Sequence, residues 1–441
     1  MTGTISIGSG SAWSDDRLDW AAELADSGLV DYMGFDCLAE RTMALAQIRR
    51  LNDETTGQDQ RIPELMRRFA GYLSRGGKMI GNFGAANPNA AADDVLRGLN
   101  TNGVSGVRVG VIHGDDVLDH VLDQDLELPE MGTSAAAIKS KVVSANAYIG
   151  ADPIVELLDQ GAQFILGGRI ADPSLYVAPI AFEMGWDLDD WEKMGAATLV
   201  AHLLECGTHA TGGNYVDPPY RVLDLVRLGF PMAHVSEDGL IITKLEGTGG
   251  AVDLGTMKTQ LAYEIHDPAT YLTPDCTADF SQVEISEIGP DRVSVSGATG
   301  SRRPDTLKVL VGVDQGWKVV TEISYGGPGC VERAQLAAEV VATRLEPYAD
   351  SIDEILYEMH GLNALFGSQL RGGPPTEVRL RIAARCDDRA TADVVAFESQ
   401  YLWQGPAGAG GISTQMAPAI GVTPALLPRE DVKLVTEVID T

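Results

Sequence analysis

One local pattern recurs through the first half of this chain. A short apolar run rich in β-branched residues stops at a polar residue or a glycine, and a segment of helical spacing follows. Thr4-Ile5-Ser6-Ile7 leads to Gly8-Ser9-Gly10 and then to a patterned stretch from Arg17 to Ala25. Val30 to Phe35 stops at Asp36, ahead of a helical stretch from Leu38 to Arg50. Met79 to Phe83 runs toward Asn87-Pro88, and Val107 to Ile112 ends at His113-Gly114-Asp115-Asp116. Val142 to Asn146 precedes a helix opened by Pro153, and Phe164 to Leu166 leads into Gly167-Gly168-Arg169. Strand-like runs alternating with amphipathic helical segments predict βαβ units, whose crossover helices bring successive strands back parallel. The fold class expected is α/β, with a mainly parallel, Rossmann-like sheet.

The texture changes near residue 225, where strand-like runs crowd together. Val283 to Ile285, Val293 to Val295, Leu307 to Val313, Trp317 to Ile323 and Glu377 to Ala383 belong to this series, with a helix at Cys330 to Leu345. These features predict an α/β domain over 1–225, an α+β domain over 226–415, and a C-terminal tail or arm over 416–441.

Composition narrows the partners. The 441 residues carry 33 basic and 63 acidic side chains, a formal charge of -30. Such a field repels phosphate backbones and anionic bilayers, so neither nucleic acid nor membrane is an expected partner. One local basic pocket can still hold a small anionic ligand. The five cysteines stand singly with no CxxC pair, which argues against a zinc knuckle or a disulfide framework. The first residues lack a basic segment followed by an apolar run, so a cytoplasmic location is expected. A homo-oligomer is the usual state of a soluble enzyme of this kind.

Ligands of open α/β sheets bind beyond the carboxyl ends of the strands. The residues predicted there are Asp36, Asn82, His113, Asp115, Asn146 and Arg169, although some can serve as helix caps alone. His113 beside Asp115 is the leading base, because a carboxylate can orient an imidazole and raise its basicity. Asp36 and Glu40 lie four apart at a helix start and can divide acid and base roles, or hold a divalent cation together with Asp15 or Asp16. Gly168, Arg169 and Asp172 form an anion anchor in which the carboxylate fixes the guanidinium. Gly8 and Gly10 offer an anion-binding or tight turn, but Trp13 stands where a dinucleotide fingerprint needs its third glycine. Farther on, His202, Glu205 and His209 have spacing compatible with metal ligation, with an internal polar network as the plainer alternative. Gly213 and Asn214 add amide donors, while Glu264 and Tyr271 offer a general acid–base pair and an oxyanion donor.

Several of these segments, taken in order, resemble one family. They are Gly8-x-Gly10, Asp36-x3-Glu40, Asn82-x-Gly84-x2-Asn87-Pro88, Gly114-Asp115-Asp116, Ala145 to Tyr148, Gly168-Arg169-x-Ala171-Asp172 and Thr211 to Asn214. Gln260-Leu261-x-Tyr263-Glu264, Tyr271-x2-Pro274-Asp275 and the glycine-rich stretch 405–411 continue the series. Across residues 5 to 413 the chain resembles the acyclic terpene utilisation family, AtuA. The resemblance implies a place in bacterial breakdown of branched organic acids as coenzyme A thioesters. The function expected is an acyl or organic-acid lyase or hydratase working by acid–base catalysis at the strand ends. A metal-dependent hydrolase and a non-enzymatic subunit or scaffold of a catabolic complex are the alternatives. No cofactor is fixed by the sequence: a divalent metal fits the hydrolase reading, and coenzyme A enters as part of a substrate.

Overall fold

In a computed structural model, residues 3–215, 224–367 and 375–441 are described. The chain falls into two compact units, residues 1–311 with 422–441 and residues 312–421.

The larger unit opens as expected, with β1 (Thr4–Ser11), α1 (Leu18–Asp26), β2 (Tyr32–Phe35), α2 (Glu40–Asn52), α3 (Ile62–Ser74), β3 (Lys78–Gly81), α4 (Pro88–Thr101) and β4 (Arg108–His113). Helix α5 (Leu118–Asp123) leads to a small hairpin of β5 (Glu127–Leu128) and β6 (Thr133–Ser134), then to β7 (Val142–Ala147). Next come α6 (Asp152–Asp159), β8 (Phe164–Leu166), α7 (Ser174–Met184) and α8 (Trp191–Glu205). After the 224–230 segment the chain forms β9 (Pro231–Ser236), β10 (Gly239–Lys244), α9 (Leu254–Leu261), β11 (Tyr271–Leu272), β12 (Thr277–Asp279), β13 (Glu284–Gly289), β14 (Arg292–Ser296) and β15 (Thr299–Ser301).

Strands β1, β2, β3, β8 and β4 lie side by side and parallel. Alternation along them separates two apolar layers. Ile7, Tyr32, Ile80, Ile165 and Ile112 pack with α6, α7 and α8, whereas Met33, Phe35, Met79, Phe164 and Val111 pack with α1, α3 and α4. Successive side chains of a strand point to opposite faces, so helices cover both sides of the sheet.

Around this parallel centre the sheet is antiparallel. Strand β9 pairs with β1, then β10, β14 and β13 follow, giving ten strands in the order β13-β14-β10-β9-β1-β2-β3-β8-β4-β20. Its last member, β20 (Val435–Asp440), lies antiparallel on β4 and covers an edge that would otherwise expose unpaired backbone groups. Four pairings are parallel and five antiparallel, so the mainly parallel sheet expected from the sequence is a mixed one. The change of texture near 225 marks the turn from parallel to antiparallel pairing within one sheet. Strands β9 to β15 remain in the first unit, and residues 435–440, expected within a tail, supply an edge of its sheet. Strand β7 also departs from expectation: it stands outside the ten-stranded sheet, and the Tyr148 N–H that follows it bonds the Lys308 carbonyl at 2.9 Å.

The two runs expected around 307–313 and 317–323 are a single long strand, β16 (Thr306–Gly326), which carries the chain into the second unit. There α10 (Cys330–Leu345), β17 (Ile352–His360), β18 (Glu377–Cys386), α11 (Arg389–Gln400) and β19 (Ala409–Pro428) complete a sheet of order β17-β18-β16-β19. Val319, Ile323, Val341, Leu380, Ile382 and Val395 form its core.

Helix α8 touches β15 at a pair of glycines. A Cβ on Gly195 would stand 2.1 Å from the Thr299 carbonyl oxygen, and one on Gly300 would stand 2.3 Å from that of Trp191. Both obstacles are backbone and cannot swing aside. Gly195→Ala is therefore expected to destabilise the protein by about 3 kcal/mol in chemical denaturation, at the upper end of ordinary overpacking. Gly326→Ala, with open space around it, should stay within about 1 kcal/mol of the parent.

Candidate functional site

The four neighbouring strands β2, β3, β8 and β4 end in Asp36, Asn82, Arg169 and Asp115 respectively, each within a few residues of its strand. Their side chains are buried, with exposures of 8%, 0%, 1% and 4%. The Asn82 amide donates to Asp36 Oδ1 at 2.8 Å, while its own oxygen accepts the Cys37 N–H at 2.6 Å. Asp115 Oδ2 accepts the Arg169 N–H at 2.8 Å and the Asn146 amide at 2.9 Å. Gln47 of α2 donates to the Asn146 oxygen at 3.4 Å, extending the network to the helix. Gly168 makes room for this arrangement, since a Cβ there would lie 2.2 Å from Asp115 Oδ2.

Arg169 is the charged centre. Its Nη1 lies 2.9 Å from Asp172 Oδ1, and its guanidinium stacks 4.1 Å above the Tyr148 ring. Burial opposes its charge most strongly, but Asp172, Tyr148 and Asp36 outweigh that effect and hold the proton more firmly than usual. Tyr148 donates its hydroxyl to Glu40 Oε1 at 2.9 Å, and Lys308 Nζ approaches the same oxygen at 3.3 Å. Although burial opposes its ionisation, Glu40 titrates lower than an ordinary glutamate because its own N–H, Arg169, Lys308 and Tyr148 favour the anion. Asp36 behaves oppositely. Burial first, and the nearby Asp172 next, push its carboxyl well above the usual range despite Arg169 and Asn82. Asp115 is raised to about 6, chiefly by burial.

A second group lies along α8 and the segments packed on it. His202 Nδ1 is 2.8 Å from Glu205 Oε1, and its Nε2 is 3.0 Å from the Gln260 carbonyl. Gln260 Nε2 returns a bond to the His202 carbonyl at 3.0 Å. A carbonyl can only accept, so His202 Nε2 carries a proton, and the contact between Nδ1 and Glu205 holds one more. Both ring nitrogens are thus engaged inside the protein. Tyr271 and Phe280 rest on the His202 ring with centroids 5.5 and 5.9 Å away. This group adjoins the first: Glu205, raised mainly by burial, also feels Asp172 and Glu264, and Tyr271 feels Glu205 and Asp172. From α7, Tyr176 donates toward Ser9 Oγ at 3.3 Å and the Gly34 carbonyl at 3.1 Å.

Several buried polar atoms in this region have no hydrogen-bonding partner: Arg169 Nε, Asp172 Oδ1, Glu205 Oε2, His209 Nδ1 and Gln260 Oε1. Asp172 Oδ1 touches Arg169 Nη1 as an ion pair, without the direction a hydrogen bond needs. Among the described residues, no group of three or more His, Cys, Asp or Glu side chains is arranged to hold a metal ion.

The structure brings together Asp36, Asn82, Asp115, Asn146, Gly168, Arg169 and Asp172, with His202, Glu205 and Tyr271 adjoining. Other residues singled out in the sequence lie apart. His113 is partly exposed and faces Glu437 of β20 at 3.9 Å, because β20 claims the edge where a cleft was expected. Gly8 and Gly10 belong to β1 itself and form no loop; Leu24 and Met33 fill the space beside Gly8, and the Phe35 ring fills that beside Gly10. Gly213 and Asn214 sit in an exposed turn. Glu264 is exposed with a left-handed φ of 61°, and its charge acts on the cluster from outside. His209 packs its ring edge-on against Tyr263 at 5.4 Å. Sequence reasoning passed over Tyr148, Gln260, Tyr176 and Lys308. The first two lay within recognised segments, but the last two sat in apolar runs that carried no signal.

Fold and cluster together define a mixed α/β protein with a buried, charge-rich polar site at the ends of its parallel strands. The chain belongs to the acyclic terpene utilisation family, AtuA, whose family model matches residues 5–438. No curated protein matches it significantly. Among solved structures it is similar to protein SO0527 from Shewanella oneidensis, at 10% identity and a TM-score of 0.16, over 25% of this chain and 97% of the other. A likeness so slight carries no argument about fold or role.

Asp115 gives a direct test of the cluster's electrostatics. Folding raises its carboxyl from 3.8 to about 6, so the folded chain keeps a proton that the unfolded chain has released between those values. Its contribution is complete below about pH 4 and is lost as the pH rises through 6, by roughly 3 kcal/mol for a shift of this size. In Asp115→Asn the amide oxygen can take both hydrogen bonds without titrating. Its stability relative to the parent is expected to rise by about that amount between pH 4 and pH 7 in urea titrations. A difference independent of pH would contradict the burial described here.

Proposed function

We propose that this protein is an acid–base enzyme, a lyase or hydratase, acting on an organic acid or its coenzyme A thioester. The ligand would lie beyond the carboxyl ends of the parallel strands, the place where a Rossmann-like sheet receives its substrates. One observation carries this reading: a fully buried arginine keeps an unpartnered Nε–H in a cluster with an aspartic acid whose carboxyl burial pushes well above the usual range.

In this reading Arg169 anchors the carboxylate or the thioester carbonyl, and Tyr148 and Asp172 keep its plane fixed. Asp36 is the proton donor, toward an oxygen on which negative charge develops or toward a leaving group. A neighbouring carboxylate, Asp172 or Glu205, receives the proton lost from the carbon beside the carbonyl. Such chemistry requires a proton donor and a proton acceptor within reach of one substrate. The base role moves here from His113 to this cluster, because His113 faces Glu437.

The test begins with calorimetry on a panel of short and branched organic acids and their acyl-CoA thioesters. Arg169→Gln is expected to weaken binding of the best ligand roughly a hundredfold, the scale of losing one partner of a buried charged pair. Asp36→Asn keeps the shape and should lower turnover by about 10²–10⁴-fold while binding persists. Full turnover in Asp36→Asn would remove Asp36 as the donor, and an absence of binding by any acid would overturn the proposal.

A further inference from the structure

We infer that the cavity bordered by α2, the start of α4 and β7 is a further binding site, and that its ligand is a neutral compound with adjacent hydroxyl groups, a sugar or a polyol. This inference stands whether or not the acid–base reading holds.

The cavity has a volume of about 800 Å³, within the range in which proteins hold small molecules. Asn87 and Asp116, which follow β3 and β4, place it on the side of the sheet where open α/β proteins bind ligands. Gln47, Arg50 and Leu51 stand three and four residues apart on α2, so one face of that helix forms a wall. Val143 and Ser144 of β7 form another. Much of the wall is fixed before any ligand arrives. Asn87 accepts the Ala90 N–H at 3.2 Å and donates to the Glu54 and Thr56 carbonyls, both at 2.9 Å. Gln58 donates to Asp94 Oδ2 at 2.8 Å, and Gln47 donates to Asn146 at 3.4 Å. Groups held in this way lose little freedom on binding.

The chemistry of the wall selects the ligand. Two guanidinium groups, Arg50 and Arg97, line it against three carboxylates, Glu54, Asp93 and Asp116. Both cations are engaged, since Arg50 Nη1 donates to the Ala86 carbonyl at 2.6 Å and Arg97 pairs with Asp94. An anion would have to break these bonds inside a chain of formal charge -30, and an ammonium ligand would meet the same two guanidinium groups. Among the described residues no aromatic ring lines the cavity, so a nucleobase finds nothing to stack on. The remaining polar groups are the carboxamides of Gln47, Gln58, Asn87 and Asn89 and the hydroxyls of Thr55 and Ser144. Such a wall offers donors and acceptors side by side, and a hydroxyl group can answer either. Polar walls bind water, and a ligand gains by displacing it only where it reproduces those hydrogen bonds, as adjacent hydroxyls do. Leu118 and Val143 leave apolar surface for the C–H face of a carbon chain or ring.

The experiment is saturation-transfer NMR on the full chain with glucose, maltose and sorbitol. Gluconate and glucosamine serve as charged counterparts of similar shape. At least one neutral compound is expected to bind, and about tenfold more tightly than either charged counterpart. Transfer from glucose or maltose alone would assign the site to ring sugars, and transfer from sorbitol alone to linear polyols. Ala90→Phe, in the first turn of α4, fills the cavity with a ring and should weaken binding about tenfold or more. Asp93→Ala, an exposed change on the same helix, removes an acceptor and should weaken it about tenfold. Either variant suffices if the other does not fold, as judged by circular dichroism. A preference for gluconate or glucosamine, no transfer from any of the three neutral compounds, or binding unchanged in the folded variants would overturn the inference. The acid panel of the proposed function is read separately, so each reading can fail without the other.

Discussion

A guanidinium with 1% of its surface in water is costly to keep, because removing a charge from water takes several kcal/mol even after the protein relaxes. Arg169 makes this demand at the end of β8, and its neighbours are arranged to meet it. Asp172 supplies the opposite charge, the Tyr148 ring offers its negative face, and Asp115 fixes the backbone from which the side chain departs. The last of these contacts requires glycine at 168, where any side chain would displace the carboxylate. One buried charge thus dictates residues on three loops.

The parallel centre of the sheet makes that convergence possible. Because β2, β3, β8 and β4 are neighbours with a common direction, the residues following them emerge on one edge. The antiparallel strands on either side widen the sheet, and β20 places Glu437 beside His113. Carboxyl groups outnumber cations in the cluster, so burial and mutual repulsion keep some of them protonated at pH values where an exposed aspartate is charged. An excess of acids thus surrounds a single buried arginine.

The alternation of strand-like and helical runs made the βαβ centre legible, down to the limits of Phe164–Leu166. Asp36, Asn82, Asp115, Asn146 and Arg169 were legible too, because each follows an apolar run at the point where the chain must turn. The antiparallel wings were not. Val283 to Ile285 or the runs beyond 306 read as strands, but period two says nothing about which neighbour a strand will choose. The long-range partners of the site escaped for a similar reason. His202 and Glu205 show their spacing on α8, whereas the bond to Gln260 spans 58 residues and depends on how α9 packs. Gly8 and Gly10 misled because a glycine pair after a strand looks the same whether it opens a loop or admits bulky neighbours within the strand.

Binding of an organic acid by Arg169 at these strand ends can be tested with a crystal structure into which a bromine-labelled carboxylic acid has been soaked. Anomalous density is expected beyond the ends of β2, β3 and β8, with a carboxylate oxygen about 3 Å from Arg169 Nε. Bromine elsewhere on the molecule, with Arg169 Nε contacted by protein atoms alone, would contradict it.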